Sequence, residues 1–135
     1  MDGEYKEVLP FGQGNLIVTK NNFQIQFYFP GPDMRHNGTF LNINRNEIKE
    51  YIKSYNENWK KYIELKKMKS ELGKEFTTSG KLGMNIKVGG WNEGVCITSY
   101  HLPINTENEL KKLISSFQWA EERGKQIMSF LKTQK

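Results

Sequence analysis

Histidine and cysteine are the side chains in this sequence whose types most directly allow chemistry. Histidine is the usual general base near neutral pH, and the chain has two, His36 and His101. Cys96 with His101 would make a thiol nucleophile, but on one extended strand their odd spacing places them on opposite sides. Because free cysteines are usually buried, we expect Cys96 to be a small core side chain and predict no catalytic residue.

The loop 30–36 is the most unusual local sequence in the chain. Its two prolines lack an amide proton, so a paired strand has to end there, and they restrict the loop that carries Asp33, Arg35 and His36. The simplest interpretation is a rigid connection. The alternatives are a recognition loop that presents these three side chains, or the active site of a small enzyme centred on His36.

Metal and phosphate sites have little support in the sequence. The two histidines, the single cysteine and the scattered carboxylates match no ligand spacing, so we predict no metal and no cofactor. The glycines between 80 and 94 flank predicted strands rather than a strand-to-helix turn, which favours hairpin geometry over a phosphate cradle. One cysteine excludes an intrachain disulfide, and no segment approaches the ~20 apolar residues of a membrane span. We therefore expect a cytoplasmic protein with no membrane partner.

The period of the apolar residues orders the chain as strands, helix, strands, helix. Residues 23–29 alternate at period two, with Gln24, Gln26 and Tyr28 on the polar side. Turn residues separate this segment from its neighbours. The pattern predicts strands at 16–19, 23–29, 39–43, 84–88 and 95–100.

Two capping patterns mark the starts of the predicted helices. Asn44 with Glu47 resembles a capping box, and we expect the first helix to run from there to Gly73. Thr106 with Glu109 marks the second. The predicted fold class is therefore α+β, an antiparallel sheet of about five strands in β-β-β-α-β-β-α order, with two amphipathic helices packed on one face. We expect a single domain, 1–135, with a flexible N-terminus 1–8 and a C-terminal tail 132–135, and leave strand order and oligomeric state open.

Lysine dominates the positive charge. The chain carries a formal net charge of +5, with −1 in residues 1–59, +4 in 60–81 and +2 in 82–135. Lys60, Lys67 and Lys74 recur every seven residues, so they could form a basic ridge that meets phosphates or an acidic protein. The interleaved glutamates favour the alternative of a solvated helix face.

A polar sheet face is the other candidate surface, because an antiparallel sheet can leave one face in water. Tyrosines, amides and a lysine on such a face suit protein recognition. Our preferred hypothesis is a non-catalytic recognition domain that binds another protein, as small accessory, immunity or inhibitor proteins of bacteria and phages do. Nucleic-acid binding through the lysine ridge is the alternative, and a small enzyme using the 30–36 loop is the third. The predicted partner-binding residues are Tyr28, Asp33, Arg35, His36, Lys87 and Tyr100.

Overall fold

The computed structural model describes residues 3–31 and 37–134, so Asp33, Arg35 and His36 lie outside the described residues. The chain divides into two compact units, Met1–Lys49 with Ser115–Lys135, and Glu50–Ile114. The α+β class is confirmed, although the described residues form seven strands in two antiparallel sheets rather than about five strands. The elements are β1 Tyr5–Val8, β2 Asn15–Val18, β3 Phe23–Phe29, β4 Thr39–Asn44, α1 Ile48–Leu72, β5 Phe76–Ser79, β6 Asn85–Val88, β7 Gly94–Cys96 and α2 Glu107–Thr133.

The sheet of the first unit has the order β1-β2-β3-β4, and each strand is antiparallel to its neighbour. In β3 the odd-numbered residues, all Phe or Ile, are buried on what we call the inner face, as the period of two predicts. The C-terminal part of α2 packs on this face, where the Phe27 and Phe117 rings lie 6.3 Å apart. The ring of Phe23 lies directly against Gly124, where a Cβ would come within 3.0 Å of it. The helix therefore holds β3 rigidly from one side.

Strand β1 occupies the segment that we expected to be flexible. Tyr5 and Glu7 point to the inner face, where the Tyr5 hydroxyl donates to the Glu7 carboxylate. Arg123 of α2 donates to the Tyr5 hydroxyl at 3.3 Å and pairs with Glu7 at 3.5 Å. These contacts raise the pKa of Arg123, first through the Tyr5 hydroxyl and then through Glu7. Strand β1 has polar residues on both faces, and α2 stabilises it through Arg123, which lies 118 residues after Tyr5 in sequence.

The sheet of the second unit has the order β5-β6-β7. Ile86 and Val88 of β6 are fully buried, whereas Asn85 and Lys87 alternate with them on the opposite face. A single 3₁₀ turn, Lys81–Gly83, joins β5 to β6. The side chain of Asn58 in α1 holds this turn by accepting from the Lys81 amide at 2.9 Å and donating to the Lys81 carbonyl at 3.2 Å. Asn58 is only 2% exposed, so the side-chain end of these bonds is buried, while the turn itself lies at the surface.

Two helix caps were predicted from the sequence, and the structure confirms one of them. Asn44 and Glu47 do bond each other, but as a turn after β4, and α1 begins four residues later than predicted, at Ile48. The Thr106 and Glu109 capping box is confirmed, with the Glu109 amide donating to the Thr106 hydroxyl at 3.1 Å. No helix in the described ranges is long and apolar enough to cross a membrane.

Candidate functional site

The outer face of the first sheet carries an exposed aromatic pair. Tyr28 of β3 and Phe40 of β4 lie directly opposite each other, with ring centroids 4.8 Å apart. Tyr28 is 54% exposed and Phe40 is 58% exposed. Two large rings that pack on each other in water leave apolar area unburied, which is the usual state of a binding surface before its partner arrives.

Side-chain amides continue the outer face from the aromatic pair along both strands. Gln26 pairs with Asn42 across the two strands, and its amide donates to the Asn42 carbonyl oxygen at 2.9 Å. The next pair along the strands is Gln24 with Asn44. A shallow notch of about 120 Å³ lies beside Gln24, between β2 and β3. We define the outer-face patch as Tyr28, Phe40, Gln26, Asn42, Gln24 and Asn44, none of which is charged.

The structure separates the residues that we predicted on a single polar sheet face. Tyr28 lies in the outer-face patch of the first unit, but Lys87 and Tyr100 belong to the second unit. The lysines at 60 and 67 are exposed on α1, and Lys74 follows the end of that helix at Leu72. The basic ridge that they would form along the helix and its exit stays a prediction.

Tyr100 lies in a tight turn after β7, which ends at Cys96 rather than at residue 100. Ser99 and Leu102 have φ values of 46° and 54°, a left-handed conformation that no strand can accommodate. The Asn85 amide donates to the Ser99 carbonyl at 3.0 Å and holds the turn. The Tyr100 ring is 51% exposed and lies 4.5 Å from the His101 ring.

A second exposed aromatic, which the sequence analysis treated only as part of a hairpin connection, is Trp91 between β6 and β7. Its side chain is 90% exposed, more than any other large apolar side chain that the structure describes. We call residues 89–93 the Trp91 loop. Gly89, Gly90 and Asn92 all have positive φ, between 61° and 83°, so the backbone is sharply folded.

Three consecutive backbone carbonyls of the Trp91 loop accept hydrogen bonds from side chains. The carbonyls belong to residues 91–93, and the donors in the same order are Lys87 Nζ at 2.8 Å, Cys96 Sγ at 3.5 Å and Asn105 Nδ2 at 3.1 Å. Loop carbonyls of this kind are usually left to water. The loop is therefore held in one conformation although its tryptophan is solvated.

The Glu93 carboxylate anchors the same loop to α1. It accepts a hydrogen bond from the Tyr62 hydroxyl at 3.1 Å and lies 3.9 Å from Lys66 Nζ. Burial raises the pKa of Tyr62, and the bond to Glu93 raises it further, because an ionised phenol would face a carboxylate. The phenol therefore remains a donor at neutral pH.

Lysine side chains surround the Trp91 loop. Lys69 of α1 lies so close to Gly89 that a Cβ on that glycine would come within about 3.0 Å of its amine. With Lys66 and Lys87, this places three ammonium groups at the loop. Glu75 lies at the same place, beside both Gly89 and Gly90.

Cys96 does not form a nucleophile with His101. The thiol is fully buried, and burial raises its pKa to about 11, so it is protonated at neutral pH. Among the residues in the described ranges, no three histidine, cysteine, aspartate or glutamate side chains are placed to hold a metal ion.

The raised pKa of Cys96 predicts an alkaline loss of stability. The folded state favours the neutral thiol, so its contribution is complete below the ordinary pKa of 9.0 and is lost as pH rises towards 11. We expect the wild-type protein to lose more unfolding free energy than Cys96→Ala between these pH values, in urea titrations. Equal losses would show that the thiol ionises normally.

Two residues of these surfaces were missed in the sequence. Phe40 lies in the third predicted strand, but the sequence does not show which residue it pairs with. The register of β3 with β4 places it opposite Tyr28. Trp91 stands between two glycines and Asn92, a context that indicates exposure.

Comparison with protein-family models, with curated proteins and with solved structures finds no match for this chain.

Proposed function

We propose that this chain is a non-catalytic recognition domain that binds another protein through the outer-face patch. The observation that carries the proposal is the exposed pair of Tyr28 and Phe40. Aromatic residues at the centre of a patch are the usual energetic anchors of protein interfaces, and removal of one often costs about 2 kcal/mol or more of binding free energy.

The chemistry of the patch favours a protein partner over a polyanion. Cores of protein interfaces are depleted of charge and enriched in aromatic residues, whereas nucleic-acid sites need cationic groups to displace counterions. The outer-face patch has two aromatic rings, four amides and no charge. We infer a partner that offers an apolar centre to the rings and hydrogen-bonding groups to the amides.

Rigidity supports the same proposal. The opposite side of β3 is fixed by Phe27 against Phe117 and by Phe23 against Gly124, so the patch is presented on an ordered sheet. Little conformational entropy is then lost on binding. We further propose a cytoplasmic location, since a single buried cysteine needs no oxidising compartment.

The double substitution Tyr28→Ser with Phe40→Ser tests the patch. A protein captured by the immobilised wild-type domain from cells that express it would be purified and titrated by calorimetry. We expect the double substitution to weaken its binding by roughly 30- to 1,000-fold, the range between loss of one and of two such anchors, while the buried face is untouched.

Phe130→Ser is the matched control, since Phe130 is 59% exposed but lies on α2. It should leave the affinity within about twofold, as expected for a residue outside the interface. Circular dichroism would verify that all variants are folded. A captured partner that binds the double variant as tightly as the wild type would refute the proposal.

A further inference from the structure

We propose that the Trp91 loop, with Lys66, Lys69 and Lys87, is a binding site for single-stranded nucleic acid. This site lies in the second unit and shares no residue with the outer-face patch. Single strands are bound without sequence preference by solvated aromatic rings that stack on bases, combined with cationic side chains that follow the phosphates. The loop brings both kinds of group together.

The stacking group is already positioned. Trp91 is 90% exposed, so its indole is available to a base, while the carbonyls of residues 91–93 are tied to three side chains. Because the loop backbone is ordered before binding, a base that stacks on the indole has to fix little more than the two side-chain torsions of tryptophan.

The charge of the region is complementary to a polyanion. Residues 60–93 carry eight lysines and four glutamates, a formal net charge of +4. At the loop itself, Lys66, Lys69 and Lys87 outnumber the two carboxylates of Glu75 and Glu93, which leaves a net charge of +1 there. The second unit contains lysine but no arginine, so its cations act as point charges rather than as bidentate readers of bases. Binding should therefore be tolerant of sequence.

A bilayer surface is the less favourable partner for the same loop. Within residues 89–93 the only large apolar side chain is Trp91, so insertion would bury the area of one ring. Stable attachment to a membrane takes a broader apolar face or a second anchor. Stacking on a base needs a single ring, which is what the loop provides.

The test is fluorescence anisotropy with labelled 15-nucleotide oligo(dT) and oligo(rU), a duplex of the same length, and the full chain. We expect both single strands to bind at about 50 mM salt, more tightly than the duplex. Neutralisation of three phosphates predicts that binding weakens by about 20-fold between about 50 and 200 mM salt.

Trp91→Ala should weaken binding of the single strands by about 5- to 150-fold, the range for loss of one stacked base, and Trp91→Phe should retain most of the affinity. Tyr28→Ala removes a half-exposed aromatic ring from the first unit and should change nothing. The proposal is overturned if no oligonucleotide binds at about 50 mM salt, or if Trp91→Ala binds like the wild type. Trp91-dependent binding to phosphatidylglycerol vesicles without oligonucleotide binding would overturn it in favour of a membrane.

Discussion

Replacing Asn58 with leucine should lower the free energy of unfolding by about 3 kcal/mol, although leucine has the same branching and number of heavy atoms and a higher helix propensity. The Asn58 amide bonds both the backbone amide and the carbonyl of Lys81 and also donates to Met84 Sδ at 3.1 Å. Leucine would leave the Lys81 amide without its partner, at a cost of about 1 to 3 kcal/mol. It would also remove one of the two hydrogen bonds to the Lys81 carbonyl, which keeps the Met84 amide at 3.2 Å, at a cost of about 0.5 to 1.5 kcal/mol.

Asn56→Leu provides the control for this prediction. Asn56 lies two residues earlier on α1, is exposed, and bonds only the carbonyl of Ile52 in its own helix at 3.2 Å. Its replacement should change the unfolding free energy by no more than about 0.5 kcal/mol. Urea denaturation followed by circular dichroism measures both variants. If the unfolding free energies of the two variants differ by less than about 1 kcal/mol, water or a rearranged turn must supply the hydrogen bonds that Asn58 makes.

Gly94→Ala should be the other strongly destabilising substitution, with an expected loss of about 3 to 5 kcal/mol of unfolding free energy. Gly94 has a φ of 134°, a conformation that essentially requires glycine. A Cβ there would lie well within 3.0 Å of the Ile104 carbonyl oxygen. That carbonyl cannot move away without loss, because it accepts from the Val95 amide at 2.9 Å and Ile104 donates back at 3.0 Å.

Gly83→Ala separates backbone strain from collision. Gly83 also has a positive φ, 71°, but a Cβ at this position would meet nothing within 4 Å. Its replacement should cost about 1 to 2 kcal/mol, the penalty of the left-handed conformation alone. Thermal denaturation of both variants gives the difference. Equal destabilisation would mean that the strand pair at Val95 and Ile104 moves freely, contrary to its two hydrogen bonds.

The elements that could be predicted are those whose signal is local. The alternation of residues 23–29 gave β3 with the correct faces, and the Thr106 capping box gave the start of α2. Both depend on residues within a few positions of each other, so periodicity and side-chain type suffice.

The elements that were missed depend on distant partners. β1 has two adjacent charged residues between Tyr5 and Val8, so its sequence shows no core face, and Arg123 contacts the polar groups on its inner side. β5, with two threonines and a serine, has a loop composition and becomes a strand by pairing with β6. The role of Asn58 could not be predicted, since nothing near it in sequence indicates the turn at Lys81 that it bonds.

The candidate surfaces show the same division. Tyr28 followed from the alternation of β3, whereas its pairing with Phe40 required the register of β3 with β4. Lys87 was predicted as a partner-binding residue. Its amine donates to the Trp91 carbonyl and so helps to position the Trp91 loop. That role depends on the path of a loop with three positive φ angles, which composition alone does not specify.

The contact of Arg123 with Tyr5 and Glu7 has a consequence for synthesis of the chain on the ribosome. The second unit, Glu50–Ile114, is continuous in sequence and has all its residues once Ile114 has left the exit tunnel. The first unit is split, and β1 lacks its cation until Arg123 emerges. The apolar inner face of the N-terminal strands therefore stays uncovered while the intervening residues are translated. This takes several seconds at roughly 5 to 20 residues per second. Chaperone dependence of this nascent chain should thus concentrate in its earliest strands.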